Sequence, residues 1–591
     1  MSPDRDAQEP GVDVSATIGL AALAVGTVAL AGCALPGSSS SEGSPPAGPP
    51  AIDPTTLPAL TVTAVTVSVI ASEPATIRVD GTTANAAGAV RYALDGISRP
   101  ADPGHRQAER AYPFQVSASA PSGGASATTT VTLNPAPERV LTASDDRVAR
   151  ARHLANRIAF GPTEDELNRW RNLPYATVVD RVVDSADPSK DTQPPSAAAT
   201  FAPITWQQYK ALSVADQDAY TKRKGDLLNE TYVWWLREII ISEQPIVEHM
   251  ALFWHNLLVV SAGDVFEPRA MWDYLTLLRR NALGSFRTLL LAIARNPAMC
   301  DFLDTSSNVK GRPNENFARE LMELFTLGEG QVYTEQDVIE VAKCFTGWGT
   351  DDFQVFKFRQ DRHQGGAKTV LGVTISFPDT DPEQVRKDGE AVIDRILALD
   401  RTAVFIAEKF WDELIGGTRD SAAIAAWASA FRGPTRDYDI RRLIKTALNH
   451  AAFTDPAARG AMIRSPVELH AAIFRAIGIE TTDYQGRYWQ ASNEDQGLLN
   501  PPNVRGWVGG LTWISAKSLI ERRTHMGWTG WEFHNSGNQR VPARLHAALT
   551  ALWFVVPPVQ TAYIAASSTV TWDPAGERIR RLLVDPALNL K

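Results

Sequence analysis

Cysteine is scarce: Cys33, Cys300 and Cys344 are the only three in 591 residues. Three thiols build no disulfide scaffold, and no C-x-x-C pair offers a metal site. Cys300 and Cys344 lie near one central stretch, where they form either one disulfide or two inert buried thiols. Blocks of Lys and Arg are lacking and the formal net charge is −9, which gives no argument for nucleic acid. There is no G-x-G-x-x-G and no P-loop, which argues against nucleotide chemistry, and no G-x-S-x-G. Ser307 and Lys310 have a serine–lysine spacing, but in a loop ahead of Pro313 rather than on a helix. H-E-x-x-H is missing as well, and His249 and His255, six apart, do not share a helical face.

What is present begins with an apolar run over 15–31, of about the length of a signal core, ending in Leu30-Ala31-Gly32-Cys33. The ending resembles a bacterial lipobox, so residues 1–33 read as a signal peptide with Cys33 as the lipidation site. A plain secretory signal or a single anchor is the alternative, and each places the remainder outside the cytoplasm. Residues 34–55 are rich in Ser, Pro and Gly, the composition of a tether. Over 56–138, Val and Ile alternate with Thr and Ser at period two, as in LTVTAVTVSVI and ATTTVTLNP. Six or seven short strands are expected there, as a small immunoglobulin-like β-sandwich.

From 139 to 591 the pattern turns helical, and the expected fold is a large, mainly α domain with a short β-hairpin insertion. Thr163 with Glu166 forms a capping box, and Pro245 and Gly284 break long helices. None of the helical segments between 144 and 300 is apolar enough, for long enough, to span a membrane. Residues 353–377 read as two strands around Gly365-Gly366. The segment 483–513 reads as loop-rich, and late helices follow at 516–526 and 542–555. At the centre, a helix is expected over about Asn314–Leu327 and another over about Glu335–Phe345. Asn316, Arg319, Glu320 and Glu323 fall on one face of the first, which is otherwise apolar enough to be buried. Buried polar groups need partners, so that face is either an ion-pair network or a site.

Seven blocks occur in one order: HLANRIAFGPT (153–163), ALFWHN (251–256), NENFARELMELFTLG (314–328), YTEQDV with FTGW (333–348), HQGGAKTVLG (363–372), RSPVEL (464–469) and NPPNVRGWVGG with Trp513 (500–513). On these blocks residues 145–550 resemble the bacterial domain-of-unknown-function family numbered 1800. The resemblance implies an exported, mostly helical protein without a settled activity. It also implies a genomic neighbour of sulfatase- or phosphatase-like type as a partner. The family pattern often has Asp after the loop histidine, where this chain has Gln364, so that acid has no metal or proton role here.

Candidate catalytic residues are the paired carboxylates Glu320 and Glu323 with His255 and His363, as acid and base in polysaccharide hydrolysis or cleavage. The convergence that an enzyme requires would bring His255, His363 and Glu320 within about 8–10 Å. Joined by Glu320 and Asp304, the histidines could instead hold a divalent metal; no cofactor or metal is otherwise expected. Asn316, Arg319, Lys368, Asn500, Asn503, Arg505, Trp507 and Trp513 are candidate substrate-binding residues, because Trp rings stack on sugars while amides and guanidinium groups hydrogen-bond them. The structural alternative is that Glu320 and Arg319 fix helix register, His255 bonds a carbonyl and the Trp residues plug the core. The functional alternative is a non-catalytic surface protein that binds glycan or assembles with an exported partner enzyme.

Overall fold

A computed structural model describes residues 143–535 apart from 191–195, 379–380, 479–480 and 482, together with residues 589–591 and five strands between 61 and 133. The signal segment, Cys33, the tether and the late helix expected at 542–555 lie outside the described residues. Thr61–Ile70 pairs with Thr76–Ala84, and Arg91–Asp95, Arg110–Ala120 and Gly123–Leu133 form a second sheet in that order. Arg91–Asp95 runs antiparallel to Arg110–Ala120, with Arg91 opposite Ser119.

The helical region is mainly α and encloses one hydrophobic core. Its boundaries follow the local chemistry. The Thr163 hydroxyl accepts from the Glu166 amide while Glu166 accepts from the Thr163 amide, which starts Glu164–Trp170. Pro245 occupies the first turn of Pro245–Leu257, where its missing N–H costs nothing, and separates it from Val214–Ile241. Trp235, Trp254, Trp348 and Trp427 are fully buried, so much of the tryptophan content fills the core. Cys300 and Cys344 are free, buried thiols, and burial pushes both above the usual thiol range. No helix among the described residues is long and apolar enough to cross a membrane.

Three expectations are corrected. The first central helix is shorter than its pattern and covers Asn316–Glu323. Beyond it the chain widens, because the Phe325 amide reaches back to the Glu320 carbonyl and the Leu327 amide to that of Met322. Phe317, Leu321, Met322 and Phe325 are buried, but Asn316 is exposed and Arg319, Glu320 and Glu323 are half-buried. Secondly, the insertion is two hairpins rather than one around Gly365-Gly366. Trp348–Thr350 pairs with Phe356–Phe358, and Lys368–Val370 with Val373–Ile375. The second turns at Leu371 and Gly372, both at positive φ (51° and 78°), the geometry that suits a two-residue hairpin loop. Thirdly, the stretch expected to be loop-rich contains the helix Tyr484–Asn493, capped by the Asp483 carboxylate on the Gly486 amide.

Candidate functional site

The helix Pro245–Leu257 presents His249, Phe253 and Asn256 at spacings of four and three, hence on one face. Facing it, Asp400–Leu414 supplies Lys409, Asp412 and Glu413 near its end. Ser465 caps Pro466–Ile477 and Glu468 completes its capping box, which fixes that carboxylate at the same place. These groups and the loop Arg505–Trp513 line a cleft of about 370 Å³.

The loop is fastened to the Pro245 helix by one side chain. Asn256 accepts from the Trp507 amide at 2.7 Å and donates to the Trp507 carbonyl at 3.2 Å. Gly506 makes this approach feasible: its φ is +74°, and a Cβ would lie 2.6 Å from the Asn256 carbonyl oxygen. Asn503 turns the chain ahead of it, its carboxamide accepting from the Arg505 amide at 2.9 Å. Asn500 accepts from the Gly263 amide at 2.9 Å and so pins the loop's start. Trp507 and Trp513 wall the cleft, and Arg505 extends over its rim in a bidentate pair with Glu329.

The cleft floor carries interacting charges. His249 Nε2 lies 3.2 Å from a Glu413 oxygen. Residues 589–591 pair with 462–464, the Lys591 amide donating to the Met462 carbonyl at 2.7 Å. This pairing sets the Lys591 ammonium against Glu468 and 3.8 Å from Glu413. Burial pushes Glu413 up, but Lys591, His249 and Arg157 outweigh it and hold the carboxyl below its usual range. Lys409 is lowered by burial. His249, Glu413 and Glu468 have ligand atoms close enough to share a metal ion, yet the Lys591 ammonium already supplies a cation there.

A neighbouring depression shares Leu257, Lys409 and Arg505 with the cleft and continues past Glu323, Gly328 and Glu329. Glu323 is held by Arg319 at 3.1 Å, and Arg319 also binds Glu315 at 3.0 Å and Glu335 at 2.7 Å. The Arg319 face is therefore a half-exposed ion-pair network. Burial, then Glu323, raises the Glu320 carboxyl above its usual range.

His255 lies fully buried behind Trp507, ring centroids 5.5 Å apart. Its Nδ1 is 2.9 Å from the Tyr274 hydroxyl, which donates to the Leu258 carbonyl at 2.7 Å. The hydroxyl has one proton, so His255 Nδ1–H is the donor and Nε2 carries a bare lone pair. Burial pushes this histidine down to about 3, so it stays neutral at neutral pH. His363 sits elsewhere, with Asp388 at 3.2 Å, the Thr346 carbonyl at 2.8 Å and Lys368 at 3.3 Å. Lys368 also binds Asp388, so these three form a buried network behind the second hairpin. Among the described residues no contact joins His255, His363 and Glu320.

The structure thus gathers Arg505, Trp507 and Trp513 at the cleft, with Glu323 along its continuation. It adds His249, Lys409, Glu413, Glu468 and Asn256, none of which was singled out as a site residue. Asn256 ends ALFWHN and Glu468 lies in RSPVEL, so two blocks held the signal; Glu413 had none.

A family model described as "Protein of unknown function (DUF1800)" matches residues 153–583. No curated protein matches, and neither does any solved structure.

Proposed function

The chain belongs to the DUF1800 family, and we propose that this member is an exported envelope protein that binds an extracellular polysaccharide in the cleft and cleaves it by acid–base chemistry. The observation that carries the reading is the cleft itself. Its walls are Trp507 and Trp513, its rim is Arg505, and its floor pairs His249 with the ionised Glu413. Indole faces suit sugar rings, and the continuation past Glu323 suits a chain longer than one ring. In hydrolysis His249 takes a proton from the attacking water and Glu413 stabilises the imidazolium that forms. Lys409, lowered by burial, protonates the departing glycosidic oxygen. His255 and His363 then serve as supports: His255 backs Trp507, and His363 with Lys368 and Asp388 holds the second hairpin in place.

Lipidation at Cys33, the tether over 34–55 and a β-sandwich spacer over 56–138 would hold the helical domain off the membrane. One observation favours a second reading, a non-catalytic glycan-binding or assembly protein working with an exported sulfatase- or phosphatase-like partner. Lys591 pairs with Glu468 and faces Glu413, so the floor carboxylates already have a cationic partner. Incubating the full-length protein with a panel of soluble polysaccharides and measuring new reducing ends separates the two. Turnover lost in Glu413→Gln and His249→Ala supports cleavage. Binding without turnover supports the second reading, and neither binding nor turnover on any polymer removes both.

A further inference from the structure

Three buried residues outside the cleft floor come together from three elements. They are His470 on Pro466–Ile477, Glu494 at the end of Tyr484–Asn493, and His525 on Ala516–Asn535. One Glu494 oxygen lies 3.1 Å from His470 Nε2 and 2.7 Å from His525 Nδ1. All three ligand atoms lie within 4.8 Å of one another. Atoms bound tetrahedrally to one zinc ion at about 2.1 Å are about 3.4 Å apart, so small side-chain shifts would let them share an ion.

A second observation points to a cation-binding role. Glu494 has no solvent exposure, and its other oxygen has no hydrogen-bond partner. Arg522 Nε lies 3.7 Å from that oxygen, and its other nitrogens donate to Asn589 at 2.8 Å and to the Arg464 carbonyl at 3.1 Å. An ionised buried carboxylate with one bare oxygen is costly. The surroundings also suit a metal. His525 turns its far nitrogen toward Glu521 at 3.3 Å, the outer carboxylate that usually orients a metal-bound imidazole. The His249–Glu413–Glu468 group differs, because Lys591 fills its need for positive charge.

We propose that His470 Nε2, His525 Nδ1 and the Glu494 carboxylate bind a divalent transition-metal ion of zinc type. The site has a use in this fold. The stretch 495–515, which carries Asn500, Arg505, Trp507 and Trp513, runs from Glu494 to the start of the His525 helix. A metal at these residues ties both ends of that stretch to the Pro466 helix and so holds the cleft wall.

Only this use rests on the polysaccharide reading; the metal is measured without any polymer, so the two can fail separately. The test is metal analysis of the full-length protein purified without chelator, followed by Zn²⁺ back-titration of chelator-treated protein monitored by melting and by limited proteolysis within 495–515. The expected result is one zinc-type ion per chain. Chelation should lower the melting temperature and open 495–515 to protease, and Zn²⁺ but not Mg²⁺ should restore both. His470→Ala and Glu494→Gln should lose the ion, His249→Ala should retain it, and Glu521→Gln should weaken it about tenfold or more. Should His470→Ala fail to fold, the chelation and back-titration of the wild-type protein decide alone. Metal-free protein whose melting is unmoved by Zn²⁺ would overturn the proposal, as would an ion lost in His249→Ala and kept in His470→Ala.

Discussion

His255 makes the stability of the helical domain sensitive to mild acid. Folded, it is neutral, with its Nδ1 proton on Tyr274 and its Nε2 enclosed near Trp235 and Trp507. Its value falls from the ordinary 6.5 to about 3 because burial opposes the charge. The unfolded chain therefore takes up a proton between pH 6.5 and 3 that the folded protein refuses, so stability is lost as pH falls through that window. Each unit corresponds to about 1.4 kcal/mol, so lowering the pH from 6.5 to 5.0 removes about 2 kcal/mol through this residue. Gln keeps a donor for Tyr274 but does not titrate. Urea denaturation of wild type and His255→Gln at pH 7.5 and 5.0 measures the difference. The wild type should lose about 2 kcal/mol more than the variant on acidification. His153, also lowered to about 3 by burial, contributes equally to both proteins and cancels. Equal losses in the two would return His255 to the set of groups able to exchange protons near neutrality.

Three further outcomes follow from the geometry. Ser465→Ala removes the hydroxyl that accepts from the Glu468 amide, while the Ser465 amide still holds the Glu468 carboxylate; calorimetry should show a loss of about 1 kcal/mol. Gly389→Ala sets a methyl 2.7 Å from Trp348 and 2.8 Å from Phe345, so thermal unfolding should show a loss of about 1–3 kcal/mol while the cleft is untouched. Arg505→Ala breaks a pair exposed on both sides, so stability should change by under about 1 kcal/mol. Polymer affinity measured by calorimetric titration should then fall by about 1 kcal/mol, roughly fivefold.

Much of the helical framework was readable because its signals are local. A proline at residue 245, a threonine three residues ahead of Glu166 and alternating apolar faces act within one or two turns. Local patterns also mislead: Gly365-Gly366 is the stronger turn on composition, yet Leu371-Gly372 carries the paired positive φ angles. The cleft was half readable. Arg505, Trp507 and Trp513 occur in one compact, polar and aromatic block, whereas His249, Glu413, Glu468 and Lys591 are scattered along the chain and meet only through packing. The carboxylates on the central helix are conspicuous because they lie on one face, and Arg319 gathers Glu323 together with Glu315 ahead of the helix and Glu335 beyond it. Spacing on a single helix does not show which other elements will cover it.

Polysaccharide is proposed to enter between Trp507 and Trp513. Native-gel retardation in matrices containing individual soluble polysaccharides tests it directly, with circular dichroism confirming that each variant is folded. Wild type and His249→Ala should both be retarded by the same polymer, and folded Trp513→Ala and Trp507→Ala should migrate as in a polymer-free gel. Retardation that persists in both tryptophan variants, or no retardation of the wild type by any polysaccharide, would rule out sugar binding at these indoles.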